Sequence, residues 1–207
     1  MRVVAVGCEY SGVSTLIDRI DAWGKERGIQ HHLDDHFTIP DAFHLDETEQ
    51  RAMLSMLPAI KERFQRFQIV YHIRLINRYE HILLGGFHIE ERVYGPHYYY
   101  PGIGVEIREY EPDMPEDTIL VHLYARPEVI HQRMQGNPHP HPLLLASDVK
   151  EVLEQFQREV AHSWIHRKIA IDTSDLTPEQ LLEIFLQRSI PHLNARDALT
   201  RVQLAQT

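Results

Sequence analysis

The sequence predicts a three-layer α/β fold: a five-stranded, mainly parallel sheet with helices on both faces. Three observations point to it. Strand-like apolar runs alternate with helical patterns along the chain, and the first run ends in a glycine turn that opens a helix. No Pro/Gly/Ser-rich linker or charge block divides the 207 residues. That length supports one sizeable core, so residues 1–207 read as a single domain.

The elements follow in order. Arg2 to Val6 is a short apolar strand, and the helix after it carries Leu16, Ile20, Trp23 and Arg27 at helical spacing and stops near Gly28. A second strand, Gln30 to Leu33, leads into Asp34-Asp35-His36-Phe37. Asp46 with Glu49 makes a capping box, and apolar residues then recur at Met53, Leu57, Ile60, Phe64, Phe67 and Tyr71, a stripe most simply read as core. Pro58 kinks that helix or starts another. A third strand covers Ile82 to Leu84, with a continuation through Gly85-Gly86 to Ile89 open. Thr118 to Tyr124 is the fourth, followed by the short helix Pro127 to Met134. Lys168 to Asp172 is the fifth, and Thr177-Pro178-Glu179-Gln180 starts the next helix with a capping box and proline at its first position.

The first turn carries the chemistry. Gly7-x-x-x-x-Gly12-Val13-Ser14-Thr15 has the spacing of the phosphate-cradling P-loop, with valine where GxxxxGK[ST] has lysine. Gly7 and Gly12 allow the turn, the N–H groups from Tyr10 and Ser11 through Thr15 would face a phosphate, and the helix dipole would add to them. Ser14 keeps the hydroxyl that would meet Mg²⁺. The lysine's charge is what is missing.

Composition narrows the function classes. A formal net charge of −9 argues against a nucleic acid polymer or an anionic membrane as partner. One cysteine, Cys8, excludes an internal disulfide framework and suits a reducing compartment. Neither a signal peptide nor a membrane-length apolar run is present in the sequence, so a cytoplasmic protein is expected.

In a parallel sheet the ligand lies at the carboxyl ends of the strands, so Asp34, Asp35, Glu90, Glu91 and Arg92 should converge on the loop. In this order the motifs resemble those of the P-loop kinases of nucleosides and nucleotides, the group of thymidylate, deoxynucleoside and uridine kinases. Gly7 to Thr15 looks like their ATP phosphate loop, Asp34-Asp35-His36-Phe37 like the Asp-rich turn after strand two, and Glu91-Arg92-Val93-Tyr94 like the Glu-Arg motif after strand three. Leu123 to Met134 looks like the segment leading into the lid, and Ile171 to Gln180 like the strand-five turn beside the adenine. The resemblance implies a P-loop NTPase fold and ATP-dependent phosphoryl transfer to a nucleoside, nucleotide or similar small acceptor. In that reading Mg²⁺ lies near Ser14 and Glu91, Asp35 or Asp34 is the base, and Arg92 and Arg133 stabilise charge. It also implies a homodimer through the helices around residues 53–71.

Two departures set an alternative beside this. Val13 removes the loop's cation, and the lid segment Gly136-Asn-Pro-His-Pro-His-Pro-Leu holds no arginine. A nucleotide-binding pseudokinase that senses or scaffolds is the second reading. A third class is a metal enzyme on His32, Asp34 and His36, which would share a face if the strand continued. Tyr98-Tyr99-Tyr100 would stack on a substrate ring or, more commonly, pack on its own protein, and His139 and His141 read as solvated loop residues.

Overall fold

The computed structural model describes residues 1–35, 39–41, 44–139 and 142–204, without the side chains of residues 35 and 204. Its sheet has five parallel strands: β1 (Arg2–Val6), β2 (His32–Asp35), β3 (Ile82–Gly85), β4 (Thr118–Tyr124) and β5 (Arg167–Asp172). Their order is β2-β3-β1-β4-β5, so β1 lies at the centre, between β3 and β4. The helices are α1 (Val13–Lys25), α2 (Glu47–Leu54), α3 (Pro58–Arg78), α4 (His88–Tyr94), α5 (Pro127–Gly136), α6 (Val149–His162), α7 (Pro178–Ser189) and α8 (Ala195–Leu204).

Period two sorts the strand residues between two layers. Val3 and Ala5 of β1, with Ile119, Val121 and Leu123 of β4, pack beneath α1 and α7 on Leu16, Ile20, Leu181 and Phe185. Val4, Val6 and Leu120 face the other layer with Ile69, Ile76, Val93 and Phe156 from α3, α4 and α6. Burial on both faces is why these strands read as continuous apolar runs. Asp46 accepts from the N–H groups of Thr48 and Glu49 while Glu49 returns a bond, and Thr177 and Gln180 do the same at α7. Pro58 starts a new helix at its first position rather than kinking an old one.

Two expectations need correction, and the end of the third strand, left open above, is settled. Strand β2 begins at His32, so Asp34 and Asp35 belong to it rather than following it. Strand β3 stops at Gly85, because Gly86 and Phe87 take φ of 70° and 90° and turn the chain into α4. The largest departure is α3. Leu57, Ile60, Phe64, Phe67 and Tyr71 are exposed, Phe67 at 71%, while Glu62, Gln65, Gln68 and His72 are buried. The helix lies apolar side out along its first half, and only Ile69, Ile73, Leu75 and Ile76 bring apolar surface to the core.

Candidate functional site

The β1–α1 turn has the backbone shape that its sequence requires. Tyr10 takes φ of 67° and Gly12 takes φ of 102°, left-handed positions of the kind from which anion-binding turns are built. Gly7 is needed for a different reason. A Cβ there would fall 2.3 Å from the Leu123 carbonyl oxygen of β4 and 2.4 Å from Ser11 Oγ. Ser11 N–H donates to the Cys8 carbonyl at 3.0 Å and Leu16 N–H to the Gly12 carbonyl at 3.0 Å. Between them, the N–H groups of Gly12, Val13, Ser14 and Thr15 find no acceptor among the described residues, and no side chain caps the helix. These are the orphan donors of a helix start, with no acid in the first turn to compete for them.

Val13 does not close this cradle. Its side chain packs against the core cluster under α1 and α7, and Ser14 beside it is exposed. The loop is braced from behind by the end of β5 and by α5. Arg133 Nη1 donates to the Tyr10 carbonyl at 2.8 Å and Arg133 Nη2 to the Thr173 carbonyl at 2.7 Å, while the Thr173 hydroxyl donates to the Ser11 carbonyl at 2.8 Å. Burial holds the Arg133 guanidinium below its ordinary pKa, yet it stays a cation at any working pH. Arg133 and Thr173 thereby hold two of the loop's carbonyls, those of Tyr10 and Ser11. Burial also pushes the Cys8 thiol up to about 12, so it is no nucleophile.

In front, Glu9 ties the loop to its surroundings. Its N–H donates to the Tyr94 hydroxyl at 2.7 Å, and its carboxylate accepts from the N–H groups of Leu143 and Leu144 at 3.1 and 2.8 Å. His139 Nδ1 stands 3.2 Å from the same carboxylate, and the His139 ring stacks on Tyr10 at 4.2 Å. His139, expected in solvent, is thus half-buried against the loop.

The remaining predicted residues are distributed as follows. Asp34 lies 3.4 Å from His72 Nε2 of α3 and 3.6 Å from His32. The Asp35 side chain, His36 and His141 lie outside the described residues, and among the described residues no three ligating side chains are placed to hold a metal. Glu91 is 1% exposed and accepts a bond from the Tyr100 hydroxyl in the core. Its neighbour Glu90 is half-buried, and its charge reaches Cys8, Tyr94 and Tyr99. Arg92 donates to the Val105 carbonyl and sits 3.8 Å from Glu159. Tyr98 bonds Asp148, and Tyr99 and Tyr100 are buried, so the aromatic run packs on its own protein.

Sequence reasoning missed the brace at Thr173, the Glu9 tie and the polar face of α3. Along that face Glu62 pairs with Arg66 at 2.5 Å and Gln68 donates to Gln65 at 2.6 Å. The signal was legible as polar residues at 62, 65, 68 and 72, one helical face, but the apolar stripe opposite outweighed it.

No family model and no curated protein matches the sequence. Solved structures do. The YorR protein of Bacillus subtilis, in complex with phosphorylated GDP, superposes with a TM-score of 0.64 at 16% identity over 94% of this chain and 99% of its own. Deoxyadenosine kinase of M. mycoides with bound dATP gives 0.57 at 13% identity, over 91% and 98%. Shikimate kinase of Bacteroides thetaiotaomicron gives 0.54 at 15%, over 91% and 96%. With the sheet order and the turn after β1, these likenesses define the fold as that of the P-loop kinases. No helix among the described residues is long and apolar enough to cross a membrane.

Proposed function

We propose that this chain binds ATP by its phosphates at the β1–α1 loop and passes the terminal phosphoryl group to a nucleoside, nucleotide or similar small acceptor. One observation carries the reading: four consecutive N–H groups, from Gly12 to Thr15, without acceptors around a left-handed turn, with Val13 packed aside. Such donors suit a polyphosphate with or without a lysine. The acceptor would lie toward the buried polar face of α3, where His72 orients Asp34, and Asp34 or Asp35 would take the proton of the attacking hydroxyl.

Mg²⁺, when bound, would neutralise phosphate charge. Ser14 presents a hydroxyl for it, but Glu91, held by Tyr100 in the core, does not present an oxygen.

A second reading, nucleotide binding without transfer, is favoured by the arginines. Arg133 is spent on two carbonyls, Arg92 on the Val105 carbonyl, and Arg126 on Asp175 at 2.7 Å, so none supplies the charge that Val13 lacks. Transfer of labelled γ-phosphate to a panel of nucleosides and nucleoside monophosphates separates the two. Transfer by the wild type supports the first reading. Nucleotide binding without transfer, rescued by Val13→Lys, supports the second and blames the missing cation.

The exposed apolar face of α2 and α3 supports a homodimer. Leu54, Leu57, Ile60, Phe64, Phe67, Val70 and Tyr71 form one patch that a second copy would cover. Light scattering should return the mass of two chains, and a single-chain mass at micromolar concentration would refute the pairing.

A further inference from the structure

The far end of the sheet, at the amino ends of the strands, holds a cavity of about 270 Å³ whose walls include Trp23, His31, His81 and Leu186, with Arg201 and with Met1 and Asp197, whose charges pair with each other at 3.2 Å. It lies between the last turns of α1 and α7 and the start of α8, and nothing in the loop's chemistry involves it. Its volume is a little under the ~300 Å³ at which small-molecule sites usually begin, room for a ligand of one or two rings.

The two histidines give it a polar code. The His31 ring is 3% exposed and is seated on α1 by its Nδ1–Cε1 edge: a Cβ on Gly24 would fall 2.4 Å from Cε1 and 2.9 Å from Nδ1. Glycine at 24 makes the notch. Nδ1 stands 3.6 Å from Asp21 Oδ1, longer than a hydrogen bond but close enough for the carboxylate to favour the ring proton on that side, which leaves the opposite nitrogen, Nε2, as an acceptor. The His81 tautomer is set the other way. The main-chain nitrogen of Met1 donates to His81 Nδ1 at 2.7 Å, so His81 Nε2 carries the proton and is a donor. Burial holds both rings below the ordinary histidine pKa, so they are neutral near pH 7. The rings stand edge to face, centroids 6.3 Å apart, and Arg27 covers Trp23 at 4.7 Å, stiffening that wall.

We infer that this cavity is a second ligand site, for a small, flat, uncharged nitrogen heterocycle of the nucleobase class, held between Trp23 and the apolar wall and read by His31 Nε2 and His81 Nε2–H. An aromatic ring with no polar edge would leave both histidines unsatisfied, and indole would satisfy only the acceptor. A base edge carrying a donor beside an acceptor satisfies both.

Trp23 emission reads the site directly once Trp164, the other tryptophan, is replaced by phenylalanine. Adenine and indole, similar in size, are titrated into Trp164→Phe protein. Adenine should give a saturable change in Trp23 emission, indole, followed by calorimetry because it emits as tryptophan does, at least tenfold weaker binding, and His31→Phe should weaken adenine at least tenfold and indole too, since both donate to the same acceptor. The inference is overturned by no saturable response to adenine up to its solubility limit, by equal affinities for adenine and indole, or by an unaltered adenine affinity in His31→Phe. Should His31→Phe not fold, ¹⁵N chemical shifts of the histidine rings decide the matter in otherwise native protein: adenine must move His31 Nε2, and an unmoved signal refutes the site. The outcome is independent of whether ATP binds at the loop.

Discussion

Around the β1–α1 loop the polar atoms that matter are main-chain N–H groups left without acceptors, whereas on α3 they are side chains taken out of solvent and paired. The two regions therefore respond differently to substitution. A cradle made of backbone keeps its shape when a side chain changes, which is how the loop holds its left-handed turn with valine at 13. A surface made of Glu62, Gln65, Gln68 and His72 has no such reserve, because each side chain is itself the chemistry. Buried polar groups cost free energy unless paired, so loss of one partner on this face of α3 leaves another buried and unsatisfied.

The largest expected effect tests the cost of burying a polar group without a partner. His122, in the middle of β4, is buried, its Nε2 has no hydrogen-bond partner among the described residues, and desolvation lowers its pKa to about 4. The folded-state pKa is depressed below the unfolded 6.5, so the neutral ring is stable above pH 6.5 and stability is lost as pH falls toward 4, by about 3 kcal/mol in all. Urea unfolding at pH 7 and pH 4.5 should show most of that loss, and His122→Leu should flatten it. An unchanged slope in the variant would show that His122 is solvated in the native state.

Gly7→Ala comes next, because it attacks the backbone cradle where side-chain changes should not. A methyl 2.3 Å from the Leu123 carbonyl forces loop and strand apart, for a loss of about 2–3 kcal/mol in urea unfolding together with the nucleotide signal. A neutral result would mean that the loop yields easily.

Gln65→Leu with Gln68→Leu sharpens the contrast from the other side. Both amides of the Gln68–Gln65 hydrogen bond are replaced, so acceptor turnover or binding should disappear while nucleotide binding at the loop is kept. A large loss of stability with function intact would make the pair structural. Smallest is Phe67→Arg, on the exposed face: stability should move within about 0.5 kcal/mol, and light scattering should report a shift from two chains to one.

Much of the fold was legible because local rules and burial agreed. Arg2 to Val6 and Thr118 to Tyr124 lie in the middle of a parallel sheet, where both faces want apolar residues, and both strands stand at the residues expected. The two capping boxes are local hydrogen-bond devices and survive any tertiary context. Where the two conflicted, the sequence misled or left a choice. Gly85-Gly86 left the end of the third strand open, and two positive φ angles, at Gly86 and Phe87, set it. The stripe from Leu57 to Tyr71 has helical spacing and does lie on a helix, but periodicity tells which residues share a face and not which face turns inward. The candidate site was legible at Gly7 to Thr15, since main-chain geometry follows from glycine spacing. It was not legible at Thr173, Glu9 or Tyr94, whose roles come from contacts between segments 85 to 162 residues apart.

The central claim, that the loop still cradles phosphate with no lysine, is tested most directly by calorimetric titration of Mg²⁺-ATP into the wild type, Ser14→Ala and Val13→Lys. Saturable binding by the wild type is predicted, weakened by Ser14→Ala and tightened about tenfold by Val13→Lys, roughly the 1.4 kcal/mol of one charge-assisted contact. No heat from folded wild-type protein at millimolar ATP, repeated at a second temperature, would contradict it.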